Sequence, residues 1–151
     1  MAFLSRSNKK HLLKVKDHFN SISKNRDGWL RKGRYFHGED LRVIKEIIPS
    51  DSSVLEIGCG NGNLIGKLNV TKAVGVDVSD KLIELAKKKF PKVSFFCDDI
   101  NSYSKKLLSK DKFDFILISD TVGYFYDIQE SLESIHLFCK PETRIIISYF
   151  S

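Results

Sequence analysis

From residue 53 onward, short apolar runs alternate with stretches whose apolar residues recur every three or four positions. The runs are Val54 to Ile57, Ala73 to Val78, Val93 to Cys97, Phe113 to Ser119 and Arg144 to Phe150. Between them lie Asn63 to Leu68, Leu82 to Phe90, Ser102 to Leu108 and Ile128 to Cys139. Strand, helix, strand repeated in this way predicts an α/β fold, a parallel sheet with helices on both faces joined by right-handed crossovers. Near-continuous apolar strands such as Phe115 to Ile118 fit burial on both faces. Asp127 with Glu130 three residues on has the form of a capping box for the last helix.

Ahead of the first strand the period is helical throughout. Leu12, Val15, Phe19 and Ile22 draw one stripe along Asn8 to Ser23, so this helix must dock on something. Leu41, Ile44, Ile47 and Ile48 mark a second amphipathic helix over Glu39 to Ile48, stopped by Pro49. The link from Asn25 to Gly33 has the punctuation of a loop and holds the only tryptophan, Trp29, as an anchor or a cover for a ligand. His11 and His18, two turns apart on one helix edge, are expected to face solvent, since no acid or sulfur accompanies them as a metal site requires. Tyr35 and His37 stand just before the second helix, where they either meet a ligand or serve for packing and capping. The division expected is a basic helical segment, residues 1–50, packed on a core of residues 51–151.

Charge sharpens that division. The net charge of +6 has its source in residues 1–50, which hold 12 Lys/Arg against 5 Asp/Glu; the remainder holds 13 against 14. Such a segment suits nucleic acid, an anionic surface or an acidic substrate. Its lysines are dispersed rather than clustered, however, which favours an ordinary solvated helix face over a nucleic-acid site. No apolar run approaches the roughly 18 residues of a membrane span, and Met1 to Lys10 lacks a secretory pattern, so a soluble cytoplasmic chain is expected. Cys59, Cys97 and Cys139 are odd in number and form no CxxC pair; packed, reduced thiols are expected, with neither disulfides nor a metal.

In open parallel sheets ligands bind at the carboxyl ends of the strands. The first strand here ends in Gly58, Gly60 and Gly62, the second in Asp77, the third in Asp98 and Asp99, the fourth in Ser119 and Asp120. Glycines at alternate positions let a chain turn tightly and a ligand lie against main-chain N–H groups. Asp77, 19 residues beyond Gly58, stands where such folds place an acid for ribose hydroxyls. The dinucleotide fingerprint GxGxxG needs glycine at 63, where this chain has Asn63, so a nicotinamide dehydrogenase is disfavoured. Glu56 inside the first strand and the acids beyond Asp77 suit a ligand with cationic groups better than a pyrophosphate.

Glu56-Ile-Gly-Cys-Gly-Asn-Gly62 resembles motif I of the class I S-adenosylmethionine (SAM) dependent methyltransferases. The likeness continues in order through Val76 to Val78, Phe96 to Ile100, Phe113 to Asp120 and Pro141 to Ile147, covering about residues 40–151. It implies a Rossmann-like doubly wound sheet, mostly parallel, with about five strands in the order 3-2-1-4-5 and two helices ahead of it. It also implies a SAM site. In that site the Gly58 to Gly62 loop, with Cys59 and Asn61, lies beside the methionine part, Glu56 supports the loop and the amino group, and Asp77 holds the ribose. Asp98 takes the adenine amino group beside the main chain of Asp99, and Ser119 and Asp120 flank the methionyl end. Val78 and Ile100 complete the implied set, and Tyr35, by its position ahead of the second helix rather than by the resemblance, is a further candidate for cofactor contact.

The same resemblance implies methyl transfer to an acceptor that the sequence does not identify, with S-adenosylhomocysteine (SAH) as product. A general base is needed only for a hydroxyl or charged amine, and Asp120, His37 and Tyr124 are the candidates. The segment Asp120 to Tyr126 replaces the acid-histidine form commoner in the family and resembles methyltransferase domains joined to glycosyltransferases. The family sheet usually has seven strands, whereas this chain ends after the fifth. An apolar edge strand invites pairing, so a fragment of a longer protein, a truncation or a homodimer through that strand is expected, with a non-catalytic SAM-binding scaffold as the alternative function.

Overall fold

The computed structural model describes residues 6–106 and 111–149. Three helices come first: α1 (Arg6–Ile22), α2 (Arg26–Lys32) and α3 (Arg34–Ile47). The alternating part follows as β1 (Ser53–Ile57), β2 (Lys72–Asp77), α4 (Asp80–Lys89), β3 (Ser94–Cys97), α5 (Ile100–Lys106), β4 (Phe113–Ser119), α6 (Ile128–His136) and β5 (Cys139–Ser148). All strand pairs are parallel, and the order is β3-β2-β1-β4-β5. The order reverses between β1 and β4, so the crevice opens beyond the carboxyl ends of those two strands.

The period of two along the strands divides the core into two layers. Leu55 and Ile57 of β1 join Ile116 and Ile118 of β4 and pack with Tyr103 of α5 and Ile135 of α6. Val54, Phe115 and Leu117 point the other way, onto Ile44 of α3 and Ile83 and Ala86 of α4. Both faces are therefore covered, which is why the strands read as unbroken apolar runs. Two helix starts are capped, the last of them as its sequence suggests: Ser79 Oγ accepts from Leu82 N (3.2 Å), and Asp127 Oδ1 accepts from Glu130 N (3.0 Å).

Several local expectations change. Asn63 to Leu68 is not a helix but a single 3-10 turn at Ile65–Lys67, because Gly66 lies flat under the Phe90 ring and the chain is extended by Leu68. The supposed loop around Trp29 is α2. Gly28 weakens that helix intrinsically, but Asp27 in its first turn reaches Asn61 Nδ2 (2.9 Å) and Lys89 Nζ (2.6 Å), so tertiary contacts decide. Trp29 neither anchors nor covers, being 68% exposed. Helix α3 begins five residues earlier than the periodicity of Glu39 to Ile48 indicates. The fifth strand starts at Cys139 and carries Pro141, which an edge strand tolerates; Phe150 of the expected run, with Leu107 and Leu108 of the α5 stretch, lies outside the described residues. Cys97 is exposed rather than packed.

At the strand starts, far from the crevice, Asp114 ties three strands together. It accepts from Ser53 N (2.8 Å) and Ser53 Oγ (2.7 Å) of β1 and from Lys140 Nζ of β5. The Lys140 ammonium first, then the Ser53 donors, hold its carboxyl down at about 2. A folded value below the unfolded one means stability that is present above about pH 4 and lost as pH falls toward 2. Asp114→Asn is expected to flatten the acid limb of urea unfolding between pH 5 and 2 while leaving ligand binding unchanged. An unaltered acid limb would remove Asp114 from the account.

Candidate active site

The turn after β1 carries the site. Gly58 and Gly62 have φ of +73° and +74°, the left-handed region where side chains are strained. A Cβ on Gly58 would lie 2.1 Å from Thr121 Oγ1, and one on Gly62 would lie 2.6 Å from the Phe95 ring. Glycine is therefore required twice over at both positions, by conformation and by space. Gly58 N and Cys59 N donate to Val76 O (2.8 and 3.1 Å), which docks the turn against β2.

Two carboxylates behind the turn hold it open. Glu56, 3% exposed on the α3/α4 side of β1, accepts from Ile65 N at 3.0 Å. Burial pushes its carboxyl up to about 8, against the pull of the Ile65 N–H and with a contribution from the Asp77 charge. Asp77, 9% exposed, accepts from Gly60 N through Oδ2 and from Ser79 N through Oδ1, both at 2.8 Å. One side chain thus fixes both the glycine turn and the start of α4. Burial also raises the Asp77 carboxyl, opposed by the Ser79 and Gly60 N–H groups and by the charge of Arg26. The Cys59 thiol, raised well above its ordinary value by burial, is not a nucleophile.

Beyond β3, Asp98 N donates to Asp77 O (3.0 Å), joining the ends of β2 and β3. Asp99 Oδ1 is committed to the first turn of α5 through Asn101 N and Ser102 N (3.0 and 3.1 Å). At the end of β4, Ser119 Oγ pairs with Ser148 Oγ (2.9 Å), and Asp120 stands at φ +51°, the only left-handed residue besides glycine among those described. Aspartate tolerates this conformation better than most side chains, and strain of this kind concentrates at functional sites.

These ends enclose one cavity of about 190 Å³, and the N-terminal helices form its remaining wall. Helix α1 lies across it. Near β2, Asn20 Nδ2 donates to Asp80 Oδ1 (2.9 Å), Asn20 Oδ1 accepts from Ser79 Oγ (2.6 Å), and Lys16 pairs with Asp80 (3.1 Å). Near β4, the His11 ring meets Tyr124 O through Nε2 (2.9 Å), Tyr126 OH donates to Ser7 Oγ (3.0 Å), and Phe19 sets its ring edge-on to Tyr124.

Glu56, Gly58, Cys59, Gly60, Asn61, Asp77, Val78, Asp98, Asp99, Ile100, Ser119 and Asp120 all line this cavity, as do His37 and Tyr124. Two expected members do not. Gly62 sits behind the turn against Phe95, and Tyr35 is 75% exposed on the far side of α3. His11, expected in solvent, is in the cavity wall, while His18 is exposed; Arg26, Asp40 and Leu12 are further wall residues that sequence reasoning missed. The available signal was position beside the Leu12, Val15, Phe19 stripe, which marks the docking face of α1. Among the described residues no helix is long and apolar enough to cross a membrane.

A family model described as a methyltransferase domain matches residues 48–151, more than two thirds of the chain. The chain belongs to this methyltransferase domain family. The chain is also similar, 33% identical over 75 residues, to the uncharacterized protein MJ1252 of Methanocaldococcus jannaschii, covering 50% of this chain and 29% of that one. Among solved structures it resembles a SAM-dependent methyltransferase, possible histamine N-methyltransferase, of Thermotoga maritima, with TM-score 0.73, 23% identity, and coverage of 87% of this chain and 60% of that one. The plantazolicin methyltransferase BpumL, solved with SAH, gives TM-score 0.70 and 25% identity over 95% of this chain and 60% of its own. Magnesium protoporphyrin IX methyltransferase of Synechocystis PCC 6803, solved with bound SAM, gives TM-score 0.73 and 18% identity over 97% and 77%. The chain thus spans about 60% of the first of these structures and under a third of the curated relative it matches.

Proposed function

We propose that the chain binds S-adenosylmethionine and carries the donor half of a methyl transfer to an acceptor held beneath α1. The observation that supports this most directly is the Asp77 carboxylate, which fixes Gly60 in the glycine turn at the point where four strand ends converge. The donor set fits the group. Main-chain N–H groups and a cleared turn accommodate a nucleoside and amino-acid chain, and Asp77, Asp98 and Asp120 offer negative charge to an ammonium and a sulfonium while repelling a pyrophosphate. Asp77 would hold the ribose hydroxyls, Asp98 and the Asp99 main chain the adenine edge, and Ser119 and Asp120 the methionyl end. The bound sulfonium supplies an electrophilic methyl group.

The chain's own part is then positioning. Alignment of the reacting groups alone is worth roughly 7–11 kcal/mol of barrier. Phe19, Tyr124 and Tyr126 wall the acceptor side, with His37 and Asp120 in the same cavity to take a proton where the acceptor is a hydroxyl or an ammonium. Residues 1–50 serve in this reading as the roof over a donor-binding core of residues 51–151. Ile145 and Ile147 lie exposed on β5, and we read that strand as the surface through which the rest of a longer chain, or a second copy, completes the molecule. Three unpaired thiols fit a reducing compartment such as the cytoplasm. Thermal unfolding with SAH beside NAD tests the donor assignment: at a hundredfold over its Kd, SAH is expected to stabilise by about 2.7 kcal/mol and NAD not at all. A shift with NAD alone would overturn it.

A further inference from the structure

Helix α1 brings an imidazole to the acceptor side of the cavity. His11 is half-buried in the cavity wall, and its Nε2 lies 2.9 Å from the main-chain oxygen of Tyr124, its only hydrogen bond among the described residues. A carbonyl oxygen can only accept, so Nε2 carries the proton, and in the neutral ring Nδ1 is left with a lone pair. The ring is held as well as oriented. It packs on the Tyr126 ring, with centroids 5.5 Å apart, and Tyr126 OH donates to Ser7 Oγ one turn earlier on α1 (3.0 Å). Two residues of one helix turn thus grip the segment that follows β4, and turning the imidazole breaks its part of that grip.

The gripped segment continues from Ser119 and Asp120, the strand end given above to the methionyl part of the donor. His37, the other imidazole in the cavity, lies with its ring over Gly33 at the junction of α2 and α3, 3.2 Å from where a Cβ would stand. An imidazole suits a general base because its proton affinity is close to neutrality, so it takes a proton without keeping it. We infer that Nδ1 of His11 is the general base for the acceptor, which is then a hydroxyl or an amine rather than a carboxylate or a thioether. In the transfer the acceptor's lone pair forms the bond to the methyl carbon, and the electron pair of the carbon–sulfur bond stays on sulfur. The acceptor's proton passes to Nδ1 and from the half-buried ring to water. The inference rests on the donor reading above and adds to it the destination of the proton and the class of acceptor.

A base touching an acceptor atom that is itself in line with the methyl group stands roughly 8 Å from the donor sulfur. That sulfur is positively charged in SAM and neutral in SAH, and the two ligands are otherwise charged alike. The charged and titratable groups about His11 are Asp120, Tyr124, Tyr126 and Asp127 of the segment it packs on and Lys10 and Lys14 of its own helix, and they are common to both complexes. The test is the NMR titration of the histidines in the full chain, saturated with SAM or with SAH. His11→Gln, whose amide keeps a donor for Tyr124 O, assigns the His11 signal. Should that variant not fold, His18→Gln, His37→Gln and His136→Gln assign it by elimination. The His11 midpoint is expected about 0.4 to 1.5 pH units lower with SAM than with SAH, the effect of a unit charge at that distance. His136, exposed at the C-terminal end of α6, should not move, and the neutral His11 ring should show the Nε2–H tautomer. Equal His11 midpoints in the two complexes, an Nδ1–H tautomer, or a displacement at His37 alone would overturn the inference with the donor reading intact. A chain that binds neither SAM nor SAH would overturn both.

Discussion

Asp77→Ala is expected to abolish the thermal shift that SAH gives the unmodified chain. The carboxylate accepts the N–H groups of Gly60 and Ser79, each at 2.8 Å, in a site 9% exposed. Alanine leaves two donors without partners, at about 1–3 kcal/mol each, and removes the proposed ribose contact in the same step. Affinity should fall by at least about 100-fold, or roughly 2.7 kcal/mol, which at matched ligand concentration erases the shift. Asp77→Asn, which keeps an acceptor for one of the two N–H groups, should retain the fold and show an intermediate loss. A shift as large as that of the unmodified chain in either variant would mean that the acid organises nothing the ligand uses.

Glu56 has the second large effect, on stability as a function of pH. Its folded value of about 8 stands well above the ordinary carboxylate value of 4.5, with burial as the leading cause. The folded chain therefore keeps a proton that the unfolded chain releases above about pH 4.5. The sign follows: this group's contribution is fully favourable below about 4.5 and declines as pH rises toward 8, by on the order of 3–5 kcal/mol in total. Glu56→Gln, which keeps an oxygen for Ile65 N and loses the titration, should give urea-unfolding free energies nearly level between pH 5 and 8 where the unmodified chain declines. Parallel curves for the two proteins would show that Glu56 ionises normally in the folded state.

The two kinds of residue that make this site differed in how legible they were. The strand ends could be read because an acid or glycine closing an apolar run stands at a sheet edge whatever surrounds it, and Gly58, Asp77, Asp98 and Asp120 all reach one cavity. The left-handed backbone at Gly58 and Gly62 is likewise a local demand with a local signature. The helical wall was harder. The stripe of Leu12, Val15 and Phe19 shows which face of α1 docks and says nothing about what it docks on, so His11 beside it passed for a solvent residue.

Tyr35 was misplaced for a rotational reason. Once α3 begins at Arg34, the face formed by His37, Asp40 and Leu41 turns to the cavity, and a residue two positions before His37 lies on the opposite side. Helix α2 was invisible because what holds it, Asp27 against Asn61 and Lys89, joins residues 34 and 62 positions apart in the chain. Local propensity carries no trace of such contacts.

Direct titration of the folded chain with SAH tests the central claim most closely. Calorimetry is expected to show one saturable site per chain, displaced by SAM and weakened by Asp77→Ala. A chain that unfolds cooperatively yet gives no saturable binding of SAH would contradict the assignment of the Gly58 to Gly62 turn as a donor site.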